Sequence, residues 1–302
     1  MFDDIKSENQ LLFFDNRVSL YIKREDLIHP TVSGNKFRKL KYNFFEAKIQ
    51  KFENIITFGG AFSNHVAALA FAGKELGLST IGIIRGDELV NKIDENPTLK
   101  FAQECGMKFE FVTRENYKNK DECLEKLKSK YSKIYLIPEG GTNDLAVKGC
   151  QEILNNNDYD FDYICTCVGT GGTISGLINS SRSNQTVLGF PALKGNFLEN
   201  DIKKYVTNNQ NWKLMNDYHF GGYGIVNDEL IHFMNDFYEK YKILLDPIYT
   251  AKMVFGVIDL INKNYFSEKS KILMIHTGGL QGIQGINNIR SKKNQTLINT
   301  NV

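Results

Sequence analysis

The sequence predicts an α/β protein with mostly parallel, twisted β-sheets and helices on both sheet faces. Three observations support this fold class. Short apolar segments alternate with helix-length segments, most of the apolar segments are rich in β-branched residues, and several of them run directly into glycine-rich or polar loops. No longer unit repeats along the chain, which argues against a solenoid.

The predicted strands are short apolar runs with β-branched or aromatic side chains, which favour extended backbone. They cover residues 18–22, 55–58, 80–84, 107–112, 134–137, 163–168 and 271–275. The predicted helices carry apolar residues at a period near 3.6 or begin at a capping residue or proline. They cover residues 35–52, the segment from Ser63 to the glycines at 73 and 77, a segment from Pro97, residues 121–130, a segment from Asn143 to about 154 and a segment from Ile174.

Composition excludes several classes of function. The chain has 302 residues, of which 42% are hydrophobic and 24% charged, as in an ordinary globular protein. Its formal net charge of +2 gives no reason to expect binding to nucleic acid or to an anionic membrane. No apolar run is long enough to span a bilayer, and the first ten residues show no secretory signal, so we expect a cytoplasmic protein.

The five cysteines are odd in number and form no C-x-x-C motif. No H-E-x-x-H motif is present either, and we therefore predict reduced, mostly buried thiols and no metal site. The polar segment 155–160 is the best internal boundary, and the asparagine-rich tail after Asn287 has the composition of a frayed end.

Four polar or glycine-rich loops follow predicted strands or open predicted helices. They are residues 33–36, 59–65, 169–173 and 277–279. Ligands of open parallel sheets bind in the crevice beyond the carboxyl ends of the strands, so we expect these loops to converge on one ligand.

The glycine-rich loop consists of Gly169, Thr170, Gly171, Gly172 and Thr173. Small residues let the backbone close around an anion, and free N–H groups at a helix start favour a phosphate. A turn that only needs positive φ is the alternative. A dinucleotide fingerprint would need glycine where Ile174 stands, and no P-loop motif occurs, so a dehydrogenase is disfavoured.

Lys36 follows Gly34 and Asn35 at the start of a predicted helix. A lysine there is usually a solvated charge, and Lys39 and Lys41 are expected to face solvent. A lysine that is desolvated in a cleft can instead lose its proton and form an imine with a carbonyl cofactor.

Ser63, Asn64 and His65 open the next helix, where small polar groups and N–H donors suit a carboxylate. Simple capping by Ser63 and a structural role for His65 are the alternatives. Tyr223, between glycines, and Tyr249, after Pro247, are open to a packing role or to chemistry in a site.

Six motifs occur together in a fixed order. They are KREDL at 23–27, SGNKFRKL at 33–40, GGAFSNH at 59–65, VGTGGT at 168–173, DPIYT at 246–250 and HTGGLQG at 276–282. With these motifs the chain resembles the 1-aminocyclopropane-1-carboxylate deaminase and D-cysteine desulfhydrase family, over nearly its whole length to about residue 287. The resemblance implies a two-domain, three-layer α/β/α enzyme of the tryptophan-synthase β-like fold (fold type II) that binds pyridoxal 5'-phosphate. It implies a small domain at residues 51–155 and a large domain formed by residues 1–50 and 156–302.

The resemblance also implies roles for individual residues in cofactor binding. Lys36 matches the lysine that forms the internal aldimine, and Asn64 matches the asparagine that bonds the phenolic oxygen of the cofactor. The loop at 169–173 matches the phosphate loop, and Thr277 matches the residue near the pyridine nitrogen.

Other matched positions concern the substrate. Ser63, with Asn64 and His65 beside it, matches the surroundings of the substrate carboxylate, and Tyr223 and Tyr249 match two tyrosines that flank the substrate. Thr250 follows Tyr249 where the cyclopropane deaminases carry glutamate, and Thr277 stands where they carry an apolar residue. The two threonines resemble the D-cysteine desulfhydrase branch.

The resulting expectation is a lyase that acts on a small amino acid. Lys36, or Tyr249 for a D substrate, removes the α proton, the β substituent leaves, and an α-keto acid and ammonia follow. Cyclopropane ring opening is the alternative reaction, and a binding protein that has lost turnover is the alternative class. A homodimer is implied by the resemblance.

Overall fold

The computed structural model describes residues 1–2, 5, 7–15, 17–195, 197–207 and 211–300. Within this part of the chain the strands are β1 Asn9–Phe14, β2 Val18–Lys23, β3 Asn54–Gly59, β4 Ser79–Arg85, β5 Lys108–Val112, β6 Ile134–Leu136, β7 Tyr163–Val168, β8 Thr186–Pro191, β9 Trp212–Leu214 and β10 Ser270–Ile275. The α-helices are α1 Asn35–Ile49, α2 Asn64–Leu76, α3 Pro97–Glu104, α4 Lys120–Lys128, α5 Asp144–Gln151, α6 Gly172–Ser180, α7 Leu198–Lys203, α8 Asp228–Tyr241, α9 Thr250–Asn262 and α10 Gly282–Ser291.

The strands form two sheets. The larger has the order β1-β2-β10-β7-β8-β9, and only the β1–β2 pair is antiparallel. The smaller has the order β5-β4-β3-β6 and is parallel throughout. The predicted α/β class with mostly parallel sheets is therefore confirmed.

Apolar side chains cover both faces of each sheet, which produces three layers. In the larger sheet, one face packs on α8 and α9 and the other on α6 and α7. In the smaller sheet, adjacent Ile55 and Ile56 point into different clusters, one shared with α1, α2 and α3 and the other with α4. Period-two alternation of this kind is what buries both faces of a parallel sheet.

Asparagine and serine side chains begin several helices where the sequence places them. Asn143 Oδ1 accepts the Ala146 N–H at 2.9 Å, and Asn96 Oδ1 accepts the Leu99 N–H at 3.0 Å. Ser63 Oγ accepts the Val66 N–H. These bonds satisfy N–H groups that have no partner within the helix.

The five cysteines are buried and free, as predicted. The polar segment at 155–160 is anchored by Asp158, whose carboxylate is fully buried and lies 2.8 Å from Lys23 Nζ. The domain boundaries at residues 51 and 155 stay a prediction.

The prediction of a frayed tail is wrong for residues up to 300. Ile298 is buried, and its backbone N–H and C=O bond the amide of Asn287. Residues 301 and 302 of that tail lie outside the described residues.

Helices α1 and α5 touch at Gly149, and this contact carries a stability prediction. A Cβ at Gly149 would lie 2.0 Å from the carbonyl oxygen of Arg38, which is backbone and cannot move aside cheaply. We expect Gly149→Ala to lower the free energy of unfolding by about 3 kcal/mol in urea titrations. Gly77→Ala is the control, because open space surrounds that position and only its left-handed backbone (φ +68°) is strained, at about 1 kcal/mol. Equal losses for the two variants would contradict the prediction.

Candidate active site

One cavity of about 710 Å³ lies beyond the carboxyl ends of strands from both sheets. This volume is typical of a site for a small molecule. Residues from all four loops at 33–36, 59–65, 169–173 and 277–279 line it. The structure thus brings together the segments that the sequence analysis singled out.

Lys36 lies in the first turn of α1 with its amine inside this cavity. Its Nζ donates to Asn35 Oδ1 at 3.1 Å, and Asn35 Nδ2 donates to Thr173 Oγ1 at 2.9 Å. Burial lowers the pKa of Lys36, and Asp246 is among the groups that oppose this shift. The amine is therefore desolvated, as a nucleophilic lysine requires.

Gly34 explains why the Gly-Asn-Lys order places Lys36 there. It has φ +60°, and a Cβ on it would lie 2.0 Å from the carbonyl oxygen of Thr277. Only glycine allows the start of α1 to pack directly on this loop.

The glycine-rich loop passes from β7 into α6. Gly171 has φ +85° and precedes Gly172, the first residue of α6. A Cβ on Gly169 would lie 3.1 Å from the Tyr249 ring, and one on Gly172 would lie 2.7 Å from Thr142 Oγ1. Close packing therefore requires glycine at these positions, and the loop lines the cavity at a helix N-terminus, which suits a phosphate.

Lys39 was expected to face solvent, and this expectation is wrong. Its side chain is buried, and its Nζ donates to the carbonyl of Gly140 and to Thr142 Oγ1, each at 3.0 Å, with Thr170 Oγ1 at 3.5 Å. Its partners among the described residues are oxygens without charge, and no carboxylate is among the groups that act on its pKa. Burial, with Lys36 nearby, lowers the pKa of Lys39 to about 7. Because residues three apart share a helix face, the spacing from Lys36 could have revealed it.

The Ser-Asn-His segment enters the cavity at the start of α2. Ser63 and Asn64 line the cavity, and Ser63 also caps the helix. His65 Nε2 lies 3.0 Å from Thr57 Oγ1, whereas its buried Nδ1 has no partner among the described residues. Burial, together with the positive charges of Lys36 and Lys39, lowers the pKa of His65 well below 6.5, so the ring is neutral.

The two tyrosines lie side by side at the cavity, with ring centroids 6.1 Å apart. Burial raises the pKa of Tyr249 well above 10, and Tyr223 adds to that rise. Partial desolvation also raises the pKa of Tyr223, whose side chain is half exposed at the mouth of the cavity. Both phenols therefore hold their protons near neutral pH.

The two threonines occupy different surroundings. Thr277 lines the cavity, with its Oγ1 3.1 Å from Cys167 Sγ. Thr250 was predicted to contact substrate, but its buried hydroxyl accepts the Asp246 N–H at 2.6 Å and lies 3.2 Å from the Asp246 carbonyl. It is not among the residues that line the cavity.

Asp246 is a cavity residue to which the sequence analysis assigned no role. Its Oδ1 accepts the N–H groups of Tyr249 at 2.6 Å and Ile248 at 3.2 Å. Its Oδ2 is buried without a partner among the described residues. Burial raises the pKa of this carboxyl to about 7. The acid three residues before Tyr249 was visible in the DPIYT motif, but its free oxygen was not.

Comparisons with known proteins agree with this geometry. The family model described as pyridoxal-phosphate dependent enzyme matches residues 10–278. A Pyrococcus horikoshii protein described as a putative 1-aminocyclopropane-1-carboxylate deaminase is 33% identical over 285 residues, which cover 87% of this chain and 85% of the relative. The mitochondrial bifunctional D-cysteine desulfhydrase/1-aminocyclopropane-1-carboxylate deaminase of Arabidopsis thaliana is 31% identical over 298 residues, or 89% of this chain and 74% of that protein.

A solved structure is similar over most of the chain as well. The crystal structure of an ACC deaminase homologue superposes with a TM-score of 0.79 at 31% identity, covering 92% of this chain and 90% of the other. The region matched by the family model, residues 10–278, includes strands of both sheets and residues of all four cavity loops.

Proposed function

We propose that this chain, which belongs to the family of pyridoxal-phosphate-dependent enzymes, is a lyase that eliminates the β substituent of a small amino acid and releases an α-keto acid and ammonia. D-cysteine, with sulfide as the leaving group, is the proposed substrate. Cyclopropane ring opening is the second candidate, because relatives described by that activity match the chain over most of its length.

The residues of the cavity fit the cofactor. The glycine-rich loop at 169–173 and the buried Lys39 amine, which lacks a carboxylate partner among the described residues, would together bind the phosphate. Lys36, which lies on α1 together with Lys39, offers a desolvated amine. When bound, pyridoxal phosphate supplies an aldehyde that reacts with amines and a ring that delocalises negative charge developing on the substrate carbon.

Ser63 and Asn64, at the N-terminus of α2, are placed to bind and orient the substrate carboxylate. Their small polar side chains lie beside helix N–H groups, where an anion is favoured. His65 is neutral and bonded to Thr57, so it shapes the wall of this subsite and transfers no proton in our proposal.

The acid–base assignments follow from the directions of the pKa shifts. Lys36, with a lowered pKa, is able to accept the α proton as a free amine. Tyr249, the base expected for a D substrate, keeps its proton because its pKa is raised. We therefore assign the base to Lys36 for D-cysteine as well, and assign Tyr249 a hydrogen bond to substrate or leaving group. Tyr223 stands beside it and completes that wall.

The lack of a carboxylate at positions 250 and 277, which are both threonine, is the observation that favours D-cysteine. A carboxylate beside the pyridine nitrogen would keep it protonated and deepen the electron sink, whereas a threonine hydroxyl is a weaker partner. Thr277 lines the cavity, and its hydroxyl meets a thiol rather than a charge. A shallower sink is sufficient to expel a good leaving group such as thiolate, but opening an unactivated ring demands more.

A direct comparison of two products tests this assignment. We expect the purified protein to release sulfide from D-cysteine at least about tenfold faster than it releases ketobutyrate from the cyclopropane substrate, since ΔΔG‡ of about 1.4 kcal/mol gives that ratio. Faster ketobutyrate release would favour the second candidate. A bound cofactor whose absorbance does not respond to any D- or L-amino acid would indicate a binding protein without turnover.

Location and assembly belong to the same proposal. No helix among the described residues is long and apolar enough to cross a membrane. We propose a cytoplasmic homodimer, and size-exclusion chromatography with light scattering tests the assembly.

A further inference from the structure

The Asp246 carboxyl presents one bonded oxygen and one free oxygen. Oδ1 accepts two N–H groups at the start of α9, while Oδ2 has no partner among the described residues although the side chain is completely buried. A buried polar atom without a hydrogen-bond partner costs about 1–3 kcal/mol of folding stability. Such an atom therefore points to a ligand or a conformational change that supplies the partner. Asp246 lines the proposed cofactor cavity, which makes that cavity the place to look for the partner.

The surroundings of Oδ2 identify Asn64 as the nearest candidate. A Cβ on Gly279 would lie 2.6 Å from Asn64 Nδ2 and 3.2 Å from Asp246 Oδ2. A Cβ on Gly282 would lie 3.5 Å from Oδ2 and 3.9 Å from Asn64 Oδ1. The amide and the carboxyl therefore flank the same stretch of glycine backbone, which makes the Asn64 amide a candidate donor for Oδ2.

Titratable groups from several elements also act on Asp246. They are Lys36 on α1, Cys167 on β7, Tyr223 in the loop before α8, and Tyr249 and Lys252 at the start of α9. The thiol and the two phenols are neutral near pH 7, because burial raises each pKa. Asp246 also acts on Lys252, but that amine is bonded to the carbonyls of His219 and Gly222 and does not line the cavity. Lys36 is therefore the cavity lysine on which Asp246 acts.

We propose, on the basis of the function proposed above, that Asp246 is a positioning residue: its Oδ2 accepts a hydrogen bond from the Asn64 amide, and its carboxylate is the counter-charge of the nitrogen that Lys36 contributes to the cavity. The first effect holds Asn64 against the ring of the cofactor. The second favours the protonated form of the Lys36 nitrogen, because an opposite charge nearby stabilises a cation.

The pH titration of the holoenzyme's absorbance tests the second effect. Asp246→Asn keeps the Oδ1 acceptor that begins α9 but removes the charge. We expect the midpoint at which the cofactor-linked nitrogen loses its proton to fall by about one pH unit. Asp259→Asn is the matched control, since it makes the same replacement within α9 but outside the cavity, and it should leave the midpoint unchanged.

The first effect is tested by a double-mutant cycle on cofactor dissociation constants. If Asp246 acts through Asn64, adding Asp246→Asn to Asn64→Ala should weaken binding by less than twofold beyond the loss of about tenfold expected from Asn64→Ala alone. Independent, additive losses would overturn this part.

Two further outcomes separate this inference from the proposed function. An unchanged midpoint in Asp246→Asn overturns the inference and leaves the lyase intact, whereas a wild-type protein that forms no link between cofactor and Lys36 defeats the lyase itself. If Asp246→Asn does not fold, Asp246→Ser retains an oxygen to cap α9 and must show the same lowered midpoint.

Discussion

Lys36→Ala is expected to abolish the covalent link between protein and cofactor and to reduce the elimination rate by at least about a thousandfold. The first effect follows because Lys36 carries a partly buried amine with a lowered pKa that lies among the cavity loops. The second follows because the same amine is the proposed acceptor of the α proton, and a positioned base contributes about 10²–10⁴ in rate. Borohydride reduction followed by peptide mass spectrometry measures the link, and sulfide release measures the rate.

Lys48→Ala is the matched control for this experiment. Lys48 lies at the other end of the same helix and is exposed, so its loss should leave both the reduced adduct and the rate unchanged. An adduct that persists in Lys36→Ala at another lysine would remove Lys36 from its role. The glycine-rich loop would then need a different partner.

The helices and strands that the sequence predicts correctly are those whose type or first residue depends on their own side chains. The strand at 163–168 has the predicted bounds, and Asn143 and Pro97 begin helices as their types require. Strand β8, Thr186–Pro191, escaped prediction because Gly189 and Pro191 within it are typical of turns. Its strand state comes from parallel pairing with β7, a contact that local propensity does not report.

The four loops of the site were predictable from the sequence. The burial and bonding of its charged side chains were less predictable. Glycine and small polar residues at strand ends identified the four loops without reference to long-range packing. The burial of Lys39 and the free oxygen of Asp246 depend on which backbone covers each side chain, and that is decided by distant segments at 140–142 and 279–282. Thr250 is expected from the sequence to contact substrate. Its hydroxyl instead accepts the backbone N–H of Asp246, four residues earlier in the chain.

Lys39→Met is expected to change two measurements in opposite directions. In the cofactor-free protein we expect the free energy of unfolding near pH 6 to rise by about 2 kcal/mol, because a buried ammonium without a carboxylate partner among the described residues is replaced by an apolar side chain of similar length. In the same variant we expect the cofactor to bind about a hundredfold more weakly, because its phosphate loses a charged partner worth about 2–3 kcal/mol.

The pH dependence of stability identifies Lys39 as the source of the first effect. Its pKa is about 7 in the folded protein against an ordinary value of 10.5, so between these values the unfolded chain binds a proton that the folded chain does not. Stability of the cofactor-free protein therefore gains a contribution from Lys39 as the pH rises from about 7 to about 10.5. This rise in the free energy of unfolding with pH should be absent in Lys39→Met and present in Lys48→Met.

Stability measured with and without cofactor discriminates between two roles for the buried Lys39 side chain. If Lys39 served only to hold Gly140 and Thr142 in place, its replacement would lower stability with and without cofactor, because two bonded oxygens would lose their donor. If it serves as the charge for a phosphate, the cofactor-free protein gains stability while the loaded protein loses it. Urea titrations of both forms, run beside Lys48→Met, separate these cases, and a loss of stability in the cofactor-free form would contradict the phosphate role.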